Sequence, residues 1–311
     1  MPAAPTPGEQ ADYRANLRAA LQELAEESDD PLFRRHFRSI IQVIEARDRH
    51  LPDDTGNINR LWGIFEDISA PGSPRLRESY LTRSSQLIVS WVSPTDGQVS
   101  FTWLRLPDEW DPEQEYPLYI QLHGLWDVAA DPIEYLTYPF LNPSTSFAFE
   151  DGYLISPWGR GNLWYRGVAE ADIWECIATI KNLVRVDDSR QYLCGHSMGG
   201  YGAWHIALGS VDTWAALGIH AGALMYDGQR EVNAAAAAAL RNLPTYFVVG
   251  TSDDLLDVNQ LAYQLLREAG NPNLAFVTFA GGHDYRDEDV GRMYLWMRAF
   301  DRDGHLVASR D

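Results

Sequence analysis

The chain has 311 residues, of which 45% are hydrophobic and 22% charged, the balance of a folded globular protein rather than a disordered one. Asp and Glu number 44 against 25 Lys and Arg, a formal net charge of −19, which repels a phosphate backbone and argues against a nucleic-acid partner. The longest apolar run, Ala234–Leu240, falls far short of the ~20 residues that a membrane-spanning helix requires, so no membrane span is expected.

The basic residues are lopsided: Lys181 is the only lysine among the 25. Arginine-rich codon usage explains this, and so does adaptation to high salt by a carboxylate-rich, lysine-poor surface; both stay open. Cys176 and Cys194 are too few for a disulfide scaffold and are expected to be inert core thiols. The segment before Leu17 has no basic stretch followed by an apolar one, the mark of a secretory leader, so a cytoplasmic location is expected.

Residues 1–10 form a Pro/Ala/Gly tail. Leu17, Leu21 and Leu24 predict a short helix over Asp12–Glu27. A second helix follows Asp29-Asp30-Pro31, with Phe33, Phe37, Ile40, Ile41 and Ile44 on one face. This face must be covered, either by packing on the rest of the chain or by a homodimer through the N-terminal helices. Leu51–Pro74 is rich in Pro, Gly, Asp and Ser and reads as the domain boundary, which divides the chain into a helical extension (1–75: lid, packing or dimerisation element) and a catalytic domain (76–311). Gln86–Ser93 and Gln98–Leu106 alternate around Pro94-Thr95-Asp96-Gly97 as a hairpin. A third strand, Pro117–Leu122, runs into His123-Gly124. Beyond it strands and helices alternate: strand Tyr153–Ser156, helix Ala169–Val184, strand Gln191–Cys194, helix Met198–Leu208, strand Ala215–Ile219, helix Arg230–Arg241, strand Thr245–Val249, helix Val258–Ala269, strand Leu274–Phe279, helix Glu288–Arg302. That order predicts an α/β fold, a mostly parallel sheet covered by helices on both faces.

The chemistry concentrates at Gly195-His196-Ser197-Met198-Gly199, set between a short apolar strand and a helix. This is the G-x-S-x-G nucleophile elbow in its required context. A sharp strand-to-helix turn leaves no room for a Cβ at the flanking glycines and lifts the Ser197 hydroxyl above the sheet edge, near a helix N-terminus. A serine hydroxyl needs a base held by a carboxylate, and in this fold the acid and then the base follow later strands. Asp253 follows the strand ending at Val249, with Asp254 and Asp257 as competitors on the same loop. His283 follows the strand ending at Phe279. His36, His50 and His305 lie away from strand ends, His205 falls mid-helix, His220 precedes the acid and so has the wrong order, and His196 adjoins Ser197 on a turn that should point it elsewhere. The expected oxyanion donors are the N–H groups of Met198 and Leu125, with Gly124 as the next choice. His123 reads as structural.

These features together resemble the α/β-hydrolase superfamily, and within it the prolyl-oligopeptidase-like and polyhydroxyalkanoate-depolymerase-like serine esterases. The resemblance rests on Leu122-His123-Gly124, on Gly161-Asn162 with Tyr165-Arg166-Gly167 and Glu170-Ala171-Asp172, and on Gly195–Gly200. It spans about residues 86–300, does not reach the first ~75, and comes without a β-propeller. It implies an α/β-hydrolase fold, and the Leu-His-Gly-Leu run also resembles acyl-thioesterase and carboxylesterase relatives, which supports Leu125 as an oxyanion donor.

Eleven tryptophans are many, and Trp126, Trp158, Trp164, Tyr165, Tyr201 and Tyr285 fall at strand C-terminal ends, where open α/β sheets bind ligands. Such rings suit a small ester with a phenolic, sugar-linked or polyester acyl group, and they equally suit loop packing. Arg160 and Arg166 are expected to pair with Glu170 and Asp172, the alternative being that they bind a carboxylate of the substrate. No metal-ligand spacing and no phosphate loop stands out, so no cofactor is expected. The reading is a serine carboxylic-ester hydrolase acting on a small-molecule ester. Its rivals are a serine peptidase of the oligopeptidase type and a non-catalytic binding protein that keeps the fold.

Overall fold

The computed structural model describes residues 7–50, 86–141, 151–226, 229–230 and 233–307; the boundary expected at Leu51–Pro74 lies outside them. Two compact units are present: Met1–Arg105 with Asp127–Ser146, and Leu106–Trp126 with Phe147–Asp311.

The first unit contains helices α1 (Pro7–Glu27) and α2 (Pro31–His50), the antiparallel hairpin of β1 (Gln86–Val92) and β2 (Val99–Arg105), and helix α3 (Pro132–Leu141). Pro31 supplies the fixed φ of a first helical position, and the Asp30 carboxylate accepts the Leu32 N–H at 2.7 Å. Helix α2 serves the edge of β1 that β2 leaves open. His36 Nδ1 accepts the Ile88 N–H (2.7 Å), Ser39 Oγ accepts the Ser90 N–H (3.0 Å), and Arg35 donates to the Ser90 carbonyl. An edge strand capped in this way offers no template for another strand. Because those polar contacts face the sheet, the buried stripe of α2 is Leu32, His36, Phe37, Ile40, Val43 and Arg47. The expected face is therefore rotated, and Phe33, Ile41 and Ile44 are only half-buried. Helix α3 was not anticipated. Asp131 starts it, accepting the Ile133 N–H at 2.7 Å and receiving Arg47 at 2.9 Å, and Tyr135 stacks on Trp103 with ring centroids 4.3 Å apart.

The second unit contains β3 (Tyr116–Leu122), β4 (Tyr153–Pro157), α4 (Val168–Lys181), β5 (Val186–His196), α5 (Met198–Gly209), β6 (Ala216–His220), the two-residue strands β7 (Met225–Tyr226) and β8 (Gln229–Arg230), α6 (Ala234–Ala239), β9 (Thr245–Gly250), α7 (Leu256–Glu268), β10 (Leu274–Phe279) and α8 (Asp287–Met297). Six strands pair parallel throughout, in the order β4-β3-β5-β6-β9-β10. Side chains alternate across β9. Phe247 meets Trp204 of α5 and Tyr263 of α7, whereas Tyr246 and Val248 join Met293, Tyr294 and Met297 of α8. Helices thus cover both faces, and long apolar strands are the consequence.

Strand β5 begins five residues earlier than the apolar pattern suggested, because Val186–Arg190 carries charge along an extended backbone. The helix expected from Arg230 starts at Ala234, where the Asn233 side chain accepts the Ala236 N–H at 2.9 Å. Since all six strands run the same way, their C-terminal ends share one edge, and the loops after β3, β5, β9 and β10 gather there.

Candidate active site

Ser197 sits between β5 and α5 with φ +53°, a left-handed conformation that costs ~1–3 kcal/mol for a residue with a side chain. The surroundings hold it there. A Cβ on Gly195 would stand 2.2 Å from the Gly199 carbonyl oxygen, and one on Gly199 would stand 2.0 Å from that of Leu122, so neither position admits another residue. The Ser197 N–H donates to the His220 carbonyl (2.9 Å), and its own carbonyl accepts the Tyr201 N–H.

The loops after β9 and β10 are stitched to each other by backbone bonds, Thr251 N–H to Phe279 O and Ser252 N–H to Gly281 O, both 2.8 Å. They carry Asp253 and His283 to the serine. His283 Nε2 lies 2.7 Å from Ser197 Oγ, and His283 Nδ1 lies 2.9 Å from Asp253 Oδ2. The second Asp253 oxygen accepts the Leu255 N–H at 2.9 Å. The Asp253 side chain is 0% exposed and that of His283 39%. With the hydroxyl donating to Nε2 and Nδ1–H donating to the carboxylate, one neutral tautomer satisfies both contacts. Asp254 and His283 also bring ligand atoms close to Asp253, and Asp301, Asp303 and His305 form a second such group. In the latter, Asp301 Oδ1 accepts the N–H groups of Asp303 and His305, the arrangement of a capped turn.

Met198 opens α5, and the first N–H groups of a helix have no partner within it. The loop after β3 runs beside it: a Cβ on Gly124 would lie 3.4 Å from Ser197 Cβ and 3.1 Å from His196 Nδ1. Leu125, one residue on, has a 59% exposed side chain. Asn162, which sequence reasoning left without a role, pins the next residue from both sides. Its Oδ1 accepts the Trp126 N–H (3.1 Å) and its Nδ2 donates to the Trp126 carbonyl (3.0 Å). His123 supports the same loop, with ring nitrogens 2.8 Å from the Gly124 carbonyl and 3.0 Å from that of Trp158, and burial lowers its pKa.

Tyr165 is fully buried and donates to the His123 carbonyl at 3.0 Å, so it braces the loop instead of lining a ligand space. Trp164 meets Tyr201 edge-on at 5.5 Å, beside Ala223 and Leu255. Trp126 and Trp158 are half-buried. Tyr285, 42% exposed, packs against the rings of His196 and His220. Arg160 pairs with Asp172 at 3.0 Å, and Glu170 with His205 at 2.9 Å. Both cysteines are free and buried.

His220, set aside on chain order, and His196, set aside because of the turn it sits on, prove to be neighbours of His283. The parallel register of β5 and β6 puts His196 opposite His220. Their rings lie 4.6 Å apart, and His196 is 5.2 Å from His283; the turn does not carry His196 away. Burial pushes His196 down to about 2 and His220 to about 4, so both stay neutral rings beside His283.

Residues 173–303 match a family model described as "Putative esterase". No curated protein matches the chain. Solved structures share its fold. A thermostable esterase superposes with a TM-score of 0.57 at 16% identity, over 71% of this chain and 64% of that one. FphF, a fluorophosphonate-binding serine hydrolase of Staphylococcus aureus in its substrate-bound form, gives 0.54 at 19% identity, over 68% and 97%. A feruloyl esterase module from Clostridium thermocellum complexed with sinapinate gives 0.50 at 14%, over 73% and 92%. The chain has the α/β-hydrolase fold, and the family match covers under half of its length. No helix among the described residues is long and apolar enough to cross a membrane.

Proposed function

We propose that the protein is a serine carboxylic-ester hydrolase working through an acyl-enzyme. The observation that carries this reading is the continuous line from Ser197 Oγ through His283 to the buried Asp253, at 2.7 and 2.9 Å. Ser197 attacks the ester carbonyl carbon while His283 Nε2 takes the hydroxyl proton. Asp253, held on its far side by the Leu255 N–H, fixes the tautomer and stabilises the imidazolium that forms. The N–H groups of Met198 and Leu125 receive the developing oxyanion. His283 then returns the proton to the departing alkoxide, and water repeats both steps on the acyl-enzyme.

The exposed apolar side chains of Leu125 and Tyr285 belong to the loops around Ser197 and favour a small ester bearing an aromatic or sugar-linked group. Such surface is better covered by a flat ring than by a charged substituent.

The test is intact mass after treatment with an alkyl fluorophosphonate, for wild type and Ser197→Ala, alongside p-nitrophenyl acetate turnover. One adduct on wild type, none on the variant and loss of turnover are expected. No adduct on wild type rejects the reading. An aryl amide turned over faster than the aryl ester of the same acyl group would make the protein a peptidase.

A further inference from the structure

A line of hydrogen bonds plays no part in the reaction as derived, yet it joins the two strand ends that carry it. The Cys194 thiol, three residues before Ser197 on β5, donates to Tyr294 Oη at 3.1 Å. Tyr294 donates to Gln121 Oε1 at 3.0 Å, and Gln121 Nε2 donates to Tyr285 Oη at 2.7 Å. Tyr285 lies two residues after His283. The register explains the start of the line, since Gln121 stands opposite Cys194 in the β3–β5 pairing. Both therefore face the side of the sheet on which α8 brings Tyr294. Below them Tyr119 stacks on Tyr192 (4.7 Å) and takes the edge of Tyr294 (5.5 Å), so the relay rests on packed rings.

The direction of each bond is set. The Tyr294 hydroxyl donates its one proton to the amide oxygen, which leaves the amide nitrogen turned toward Tyr285. Burial pushes the Cys194 thiol up to about 12 and the Tyr294 phenol well above its ordinary value, so the thiol and this phenol keep their protons at neutral pH. At its outer end the Tyr285 ring is flanked by His196 at 5.3 Å and His220 at 5.5 Å. His220 Nε2 lies 3.1 Å from the Asp284 carbonyl, a second hold on the same short loop.

We propose that Gln121 is a positioning residue for acyl transfer: its bond to Tyr285 holds the His283 loop at hydrogen-bond distance from Ser197. The proposal rests on Ser197 as nucleophile. Misplacing a reacting group by ~1 Å can cost ~10²-fold in rate, and a loop tied at fewer points samples such displacements.

The experiment is steady-state turnover of p-nitrophenyl acetate, with the rate of fluorophosphonate labelling, for wild type, Ser197→Ala, Gln121→Met, Tyr285→Phe and the Gln121→Met/Tyr285→Phe double variant. Each single relay variant should lose roughly 10- to 100-fold in kcat with KM changed less than about threefold, and labelling should slow in parallel. The double variant should be no worse than the poorer single one, because both remove the same bond. Tyr285→Phe, at an exposed position, carries the test if Gln121→Met fails to fold. The proposal is overturned if kcat stays within about twofold of wild type, if losses multiply in the double variant, or if KM alone rises, which would make Tyr285 a substrate contact. Turnover surviving in Ser197→Ala would instead sink the nucleophile reading, so the two failures are distinguishable.

Discussion

Asp253 shows how burial and hydrogen bonding define a role that sequence order only suggests. Asp254 follows it on the loop and Asp257 falls in the first turn of α7, but Asp253 has one oxygen on His283 and the other on the Leu255 N–H. Asp253→Asn keeps the shape and presents the wrong partner to Nδ1–H, so kcat should fall ~10³–10⁴-fold; p-nitrophenyl acetate kinetics measure it, and a loss below tenfold would assign the role elsewhere. Chain order picked out Ser197, Asp253 and His283, which the fold brings within hydrogen-bond distance of one another, because loop position after a strand is readable from periodicity. Chain order discarded His220 and the turn argument discarded His196, since their place depends on which strands lie side by side, and β5 beside β6 is a fact of the folded sheet alone.

His36 gives a residue-scale prediction about pH. Its burial lowers the pKa from 6.5 to about 3 while Nδ1 accepts the Ile88 N–H. Between those values the unfolded chain binds a proton that the folded chain refuses, so stability is full above pH 6.5 and declines as pH falls toward 3. One such group contributes a slope of up to ~1.4 kcal/mol per pH unit, and His196 and His220 act in the same direction. Urea unfolding between pH 4 and 7 should show the decline, and it should be shallower in His36→Gln. An identical slope in that variant would mean that His36 is protonated without unfolding.

Among the elements, the elbow is the most constrained and was the most legible. Its glycines are demanded by backbone contacts that no side-chain movement relieves. Gly199→Ala should therefore destabilise by ~3 kcal/mol or more and abolish labelling. Gly209→Ala, with nothing within 4 Å of the new Cβ, should leave activity intact and add ~0.5–1 kcal/mol. Thermal melts of the pair check this, and equal tolerance would mean that the elbow backbone yields. Helix α3 shows the opposite case. Ile133, Tyr135, Leu136 and Thr137 are all buried, so no polar face alternates with an apolar one, and Pro139 breaks what pattern remains. The start of β5 was hidden for a related reason: strand Asp187, Asp188 and Arg190 read as a loop.

For the whole molecule the dominant quantity is the net charge of −19. Buried pairs such as Arg160–Asp172 and Arg47–Asp131 are little affected by salt, whereas surface repulsion is screened as the Debye length shrinks from ~10 Å at 0.1 M to ~3 Å at 1 M. Tm should therefore rise from low to molar NaCl, each kcal/mol gained appearing as roughly 2–4 °C. A flat or falling series would leave codon usage as the account of the single lysine.

The loops that form the site come from strands far apart along the chain, and this gives the enzyme a chronology. Ser197 precedes His283 by 86 residues, so at ~5–20 residues per second the ribosome adds His283 roughly 4 to 17 s after Ser197. Tyr294, which anchors Gln121, comes later still. On the proposed function, until β10 and α8 have docked the emerging polypeptide carries a serine without a base, and an unfinished copy stays silent toward every ester around it.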